Sequence, residues 1–130
     1  LSSPQNEILK YCIQAIQFSS GNANIDTISR KLGYSKRHIQ KIFRTKRGKS
    51  FQYYCRLYRL QNVLNYIKKG FNETMTDLTY RSGYYDQSHF IRDFTEFTGI
   101  TPKHFFAEDH RYINKNIEFG VYDNFGKKIA

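Results

Sequence analysis

This sequence has few of the residues that build disulfide, metal or membrane proteins. It contains no Trp, one Met, two Pro and two Cys. Two isolated cysteines, with no C-x-x-C pair, make neither a disulfide framework nor a zinc ligand set, so we expect two buried thiols. It also lacks a transmembrane run and a signal peptide. We therefore expect a soluble, cytoplasmic protein that does not contact a membrane.

Motifs of catalysis are also missing. There is no H-E-x-x-H, no Gly-rich phosphate loop and no G-x-S-x-G. Asp86, Ser88 and His89 are close in sequence, but on the first turn of one helix they point in different directions and form a cap, not a triad. The sequence thus predicts no enzyme, no cofactor and no metal site.

The most informative absence is that of acidic residues. Between Thr27 and Asn72 there is no Asp or Glu, whereas thirteen Lys and Arg occur. Residues 1–72 hold fourteen basic and two acidic residues, a net +12, and residues 73–130 hold seven and nine, a net −2, which together give the total of +10. Such a basic field attracts phosphate groups, although charge alone also fits a solvated basic surface.

Helical periodicity is present along much of the chain. Residues 50–69 lack Gly, Pro and acidic residues and carry an apolar residue at steps of three and four, which predicts a long central helix ending at Gly70. Its predicted apolar face comprises Phe51, Tyr54, Leu57, Leu60, Leu64 and Ile67. An amphipathic helix over 4–18 precedes it, and we expect that helix to support the first half of the chain.

Two similar segments flank the central helix, at 25–51 and 75–102. Gly33 corresponds to Gly83, and after a one-residue insertion Ser35 corresponds to Asp86. Each segment is predicted to form a helix, a Gly turn and a second helix capped by Ser35 or Asp86. The predicted inward residues of these second helices are Ile39, Ile42 and Phe43, and Phe90, Phe94 and Phe97. The prediction is an all-α fold of about seven helices, with two helix-turn-helix subdomains joined by the long central helix.

Residues 8–106 resemble the DNA-binding domain of the AraC/XylS family of bacterial transcription regulators. The resemblance is strongest in G-Y-Y-D-Q-S-H-F-I-R-D-F-T-E-F-T-G-I-T-P, residues 83–102. The chain departs from the family in having Ser29 and Thr79 in place of Ala, Phe51 in place of Pro, and Phe105-Phe106 in place of Tyr-Arg. We expect both hydroxyls to bond back to their own helix backbone.

The predicted organisation has four parts. Residues 4–49 form the first subdomain, 50–69 the connecting helix, 70–108 the second subdomain, and 109–130 a loosely packed C-terminal extension. In that extension, 109–116 has a helical pattern and 117–122 alternates like a strand. The chain begins at Leu1 and not at Met, which we interpret as a fragment. The resemblance implies an N-terminal effector or dimerisation domain that is missing here.

Outward positions on the second helix of each unit are the candidate DNA contacts. Forked or bidentate groups suit base edges, and Lys or Arg at the helix exit suits phosphate. The predicted base-reading residues are Lys36, Arg37, Gln40, Lys41, Gln87, Ser88, His89 and Arg92. The predicted phosphate contacts are Arg44, Lys46, Arg47 and Lys49.

The resulting hypothesis is sequence-specific double-stranded DNA binding for transcription regulation. Two reading helices would enter successive major-groove segments about one turn, ~34 Å, apart. The resemblance implies promoter DNA and RNA polymerase as partners and a location at the bacterial nucleoid. Two alternatives remain: a basic helical RNA-binding module, and a DNA-targeting appendage of a larger enzyme.

Overall fold

A computed structural model describes residues 3–70 and 74–107. These residues form α-helices and no strand, which confirms the predicted all-α class. The helices are α1 Pro4–Phe18, α2 Ile25–Leu32, α3 Lys36–Arg47, α4 Phe51–Lys68, α5 Met75–Arg81, α6 Gln87–Thr98 and α7 Pro102–Ala107. The chain divides into two compact units, Leu1–Tyr58 and Arg59–Ala130, and each is described by itself below.

In the first unit, α1 supports the helix-turn-helix as predicted. Ser3 caps its start, where the hydroxyl accepts a hydrogen bond from the Asn6 amide at 3.1 Å, and Pro4 has no amide to leave unpaired there. The helix packs against α3. Its buried stripe consists of Ile8, Leu9, Cys12 and Ile16.

Local caps set the bounds of α2 and α3. The Asn24 side chain accepts from the amides of Asp26 and Thr27 at the start of α2, and α2 ends at Gly33, whose φ of 78° is left-handed. Ser35 then caps α3 by accepting from the His38 amide at 3.1 Å. The three residues predicted to face inward on α3 are buried, and the Phe43 ring lies 5.6 Å from that of Phe51.

Helix α4 carries the predicted apolar face, and all six of its predicted residues are buried. Cys55 and Val63 are buried as well, so the buried stripe is wider than the sequence pattern indicated. Ser50 precedes the helix, and its hydroxyl accepts from the Tyr53 amide at 3.1 Å. Both cysteines are buried free thiols, as predicted.

The second unit repeats this construction around a phenylalanine core. Asp86 caps α6 by accepting from the His89 amide at 2.9 Å, and Thr101 caps α7 by accepting from the His104 amide at 3.1 Å. The Phe94 ring lies 5.8 Å from that of Phe90 and 5.5 Å from that of Phe105. The other residue predicted to face inward, Phe97, is half-buried because it lies at the edge of this core in the last turn of α6.

One local expectation needs correction. The Ser29 hydroxyl donates to the carbonyl of Tyr34, outside its own helix, because the left-handed turn at Gly33 brings that carbonyl back over the helix end. Thr79 does bond back within its helix, to the Met75 carbonyl at 2.8 Å. Helix α5 ends at Arg81 with Ser82 as its C-cap, and the next residue, Gly83, makes the predicted Gly turn with a φ of 79°.

The predicted C-terminal extension at 109–130, with its helical and strand-like patterns, lies outside the described residues. In the part of the chain that is described, no helix is long and apolar enough to cross a membrane.

Candidate nucleic-acid interface

The outer face of α3 is a row of cations. Arg37, Lys41, Arg44 and Lys46 are all exposed, and the helix contains no acidic residue. Within residues 3–70 and 74–107, none of these four side chains forms an ion pair. Their charges are therefore available to an external anion at low desolvation cost.

Lys36, in the first turn of α3, differs from these four cations because it has an acidic partner. Its Nζ lies 2.8 Å from a carboxylate oxygen of Asp26 in α2, with both side chains about half exposed. The hydrogen bond from Lys36 lowers the pKa of the Asp26 carboxyl. The pair joins the two helices of the motif and offsets part of the positive charge at the start of α3.

Gln40 is half-buried, and its amide is bonded at both ends to the start of α4. Its Oε1 accepts from the Phe51 amide at 3.1 Å, and its Nε2 donates to Oε1 of Gln52 at 2.6 Å. The Phe51 amide is one of the first-turn donors that have no partner inside their own helix. A base contact by this amide would require breaking both bonds, so the structure gives Gln40 a second role beside the predicted one.

Two of the predicted phosphate-binding cations pack over tyrosine rings. The Arg47 guanidinium lies 5.9 Å from the ring centroid of Tyr54 and is half-buried, whereas the exposed Lys49 places Nζ 5.0 Å from that of Tyr53. Cation–π packing fixes the direction of such a side chain without cancelling its charge. Arg47 is the less accessible of the two.

The outer face of α6 is polar, with little positive charge. Its four predicted residues, Gln87, Ser88, His89 and Arg92, are all exposed. The Gln87 amide donates to the Thr76 hydroxyl at 3.2 Å, and Nδ1 of His89 lies 2.7 Å from Oδ1 of Asp86. The His89 backbone amide, and next its ring, donate hydrogen bonds that lower the pKa of the Asp86 carboxyl.

The acidic residues of α6 do not both lie on its outer face. Asp93 is 2% exposed, so it belongs to the interior of the second unit, whereas Glu96 is exposed.

Sequence reasoning missed two partners of α3 residues, Asp26 for Lys36 and Gln52 for Gln40, because contacts across a turn leave no periodic signal. Among the described residues, no group of His, Cys, Asp and Glu could hold a metal ion.

Comparisons with known proteins connect this geometry to a family. A family model described as a helix-turn-helix domain matches residues 28–108. The probable transcription factor PqrA of Proteus vulgaris is 33% identical over 100 residues, which cover 77% of this chain and 80% of PqrA. The chain belongs to the AraC/XylS family of DNA-binding domains. This AraC/XylS domain is also 26% identical over 95 residues to the multiple antibiotic resistance protein MarA of Escherichia coli, of which it spans 68%.

Other relatives are much longer than this AraC/XylS domain. An uncharacterised helix-turn-helix regulator of Staphylococcus aureus is 29% identical over 85 residues, and the match spans only 11% of that protein. The C-terminal domain of AraT, a response regulator from Geobacillus stearothermophilus, has the same fold, with a TM-score of 0.66 at 20% identity over 79% of this chain and 86% of that one. The AraC/XylS domain thus provides sequence-specific DNA binding for transcription regulation, with double-stranded DNA as its partner.

Proposed function

We propose that α3 and α6 are the two reading helices on promoter DNA and that α3 makes most of the phosphate contacts. The supporting observation is the difference in charge between them. Helix α3 has six basic residues and no acidic one, whereas α6 has Arg92 against Asp93 and Glu96. Because phosphate neutralisation provides most of the affinity that is independent of sequence, the helix with free cations dominates non-specific binding.

Within α3, the proposed roles follow exposure and position. Arg37 and Lys41 read base edges, since exposed Arg and Lys on the first turns of a reading helix suit guanine. Arg44, Lys46 and Lys49 contact phosphate, with Arg47 beside them at lower exposure. Lys36 contacts DNA while its positive charge is partly offset by the Asp26 carboxylate.

Gln40 acts chiefly as a positioning residue in this proposal. Its two hydrogen bonds to Phe51 and Gln52 tie the middle of α3 to the first turn of α4 across the turn at Gly48. A helix held in this way presents Arg37 and Lys41 at a fixed angle, which is what discrimination between bases requires.

In the second unit, discrimination is the main contribution of α6. Gln87, Ser88, His89 and Arg92 offer hydrogen-bonding groups suited to base edges, and only Arg92 is a permanent cation. Because Asp93 is buried, Glu96 is the exposed carboxylate of this helix and the one that repels phosphate.

The domain organisation proposed is unchanged: subdomains at 4–49 and 70–108, a connecting helix at 50–69 and an extension at 109–130.

The wider role proposed is that of a non-enzymatic regulator in the cytoplasm, bound to the nucleoid. It would contact RNA polymerase near a promoter and would be controlled by an effector or dimerisation domain elsewhere in a longer protein. The support is that PqrA and the staphylococcal relatives are described as transcription factors or regulators, and that the latter are several times longer than the match.

The test is selection of bound duplexes from a random DNA pool, followed by a salt series on the best site. We expect enrichment of one sequence, which an RNA duplex does not displace. Replacing Arg44, Lys46 and Lys49 together with Ala should flatten the slope of log affinity against log salt by up to ~2.7, at ~0.9 per phosphate contact. Single Arg44→Ala and Arg92→Ala variants compare the units at equal charge, and Lys10→Ala on the exposed side of α1 is the control.

Two results would contradict the proposal. If no DNA sequence is enriched, or if RNA competes equally, the domain does not read duplex DNA. If Arg44→Ala and Arg92→Ala flatten the slope equally, the net charge of a unit does not report its share of the phosphate contacts.

A further inference from the structure

Tyr85 is a large aromatic residue with almost no contact to the rest of the protein. Its side chain is 89% exposed, and its nearest aromatic neighbour is the His89 ring, edge-on at a centroid distance of 6.5 Å. It immediately precedes Asp86, the N-cap of α6. Such exposure means that folding gains little from this side chain.

The repeat explains how Tyr85 came to this position. In the first unit one residue, Tyr34, separates Gly33 from the Ser35 cap, and its ring stacks on His38 at 5.2 Å. In the second unit two residues separate Gly83 from the cap. Tyr84 is 4% exposed and packs on Phe90 at 5.5 Å. The extra residue, Tyr85, is therefore free to project from the turn.

Position and charge together indicate what Tyr85 contacts. The N-terminal residues of a reading helix approach base edges, so the residue just before the cap lies at the groove margin, where the DNA backbone runs. Helix α6 has a single exposed cation, Arg92, which lies six positions after the cap. At its N-terminal end stands the Asp86 carboxylate, which repels phosphate. A neutral hydroxyl is a phosphate donor that needs no added charge there.

We propose that Tyr85 is a DNA-contact residue whose hydroxyl donates a hydrogen bond to a backbone phosphate beside the groove that α6 enters. This inference rests on the proposed function of α6. It assigns the second unit a phosphate anchor that is insensitive to salt, in contrast to the cations of α3. The anchor fixes the register of α6 on the duplex, so that Gln87 and His89 meet their bases.

The experiment compares Tyr85→Phe with the full chain on its selected DNA site. Tyr80→Phe is the matched control, because Tyr80 belongs to the same unit and is 71% exposed but lies on α5. We expect Tyr85→Phe to weaken binding about 10- to 150-fold, as for a hydrogen bond to a charged group. The salt slope and the unfolding midpoint should not change, and Tyr80→Phe should bind like the unchanged chain.

A methylphosphonate scan of the DNA identifies the phosphate. At one position, neutralising the phosphate should weaken the unchanged chain and leave Tyr85→Phe unaffected. The inference is overturned if Tyr85→Phe binds as tightly as the unchanged chain, including the case in which it lowers transcription alone, which would assign Tyr85 to a protein partner. If the unchanged chain selects no DNA, the proposed function itself fails, a result distinguishable from loss of the Tyr85 contact.

Discussion

Replacing Gln40 separates a residue that reads DNA from one that holds the reading helix in place. In Gln40→Ala the part-buried Phe51 amide loses its acceptor, and the exposed bond to Gln52 disappears. A buried donor left without a partner costs ~1–3 kcal/mol, whereas an exposed amide pair contributes ~0.5–1.5 kcal/mol at most. We therefore expect a loss of ~1–3 kcal/mol in the stability of the first unit, most of it from the Phe51 amide.

Two further variants divide this effect between the two bonds. Gln52→Ala removes only the side-chain pair, so it should cost less than about 1 kcal/mol. Gln40→Glu keeps an acceptor for the Phe51 amide at a helix N-terminus that favours negative charge, so stability should largely return. DNA binding should not recover in the same variant, because a carboxylate on α3 repels phosphate.

Hydrogen exchange of the Phe51 amide, followed by NMR, measures the first bond directly. Protection should fall in Gln40→Ala and persist in Gln52→Ala. On selected DNA, the positioning role predicts that Gln40→Ala reduces base preference at all the positions that α3 reads together. The reasoning is refuted if protection is unchanged while preference is lost at one or two base pairs, since Gln40 would then be the direct reader that the sequence predicted.

Two further predictions concern stability and pH. Burial, and next the neighbouring Cys55, raise the pKa of Cys12 from 9.0 to about 11, so denaturant titrations should show the free energy of unfolding falling between pH 9 and 11, by about 1.4 kcal/mol per unit. Constant stability over that range would contradict burial of the neutral thiol. Asp86→Ala should lose the α6 cap and lower the midpoint of thermal unfolding followed by circular dichroism. Asp86→Asn retains an acceptor and serves as the control. Because the Asp86 pKa is lowered, its contribution should vanish only as the pH falls through that lowered value.

The helices were predictable because their signals are local. A cap residue, an apolar periodicity and a left-handed Gly are all read within a few positions, and α1 begins and ends at the residues that the pattern predicted. The repeat shows the same cap, apolar periodicity and Gly a second time, which supports each assignment independently. It is why the Ser35 and Asp86 caps, 51 positions apart in the numbering, were both identified correctly.

The electrostatic detail was not predictable, because it depends on contacts between elements. Counting charges on α3 treats Lys36 and Arg44 alike, yet only Lys36 has an acidic partner. Helical position places Gln40 near the outer face, but the turn at Gly48 brings the start of α4 within bonding distance of it. The base-reading and phosphate assignments therefore remain predictions, sharpened by knowing which side chains are already bonded.

The two units share the same local structure but differ in the side chains on their outer faces. Both keep a Gly turn, a polar cap and a buried Phe at corresponding positions, and these features hold the second helix in place. The residues outside these shared positions are free to differ. In the first unit they are cations, whose contribution to DNA affinity weakens as the salt concentration rises. In the second they are an inserted tyrosine and polar side chains, to which our proposal assigns discrimination with little dependence on salt. Under the proposed roles, the first unit therefore supplies most of the affinity that depends on salt, and the second unit adds discrimination to that of Arg37 and Lys41.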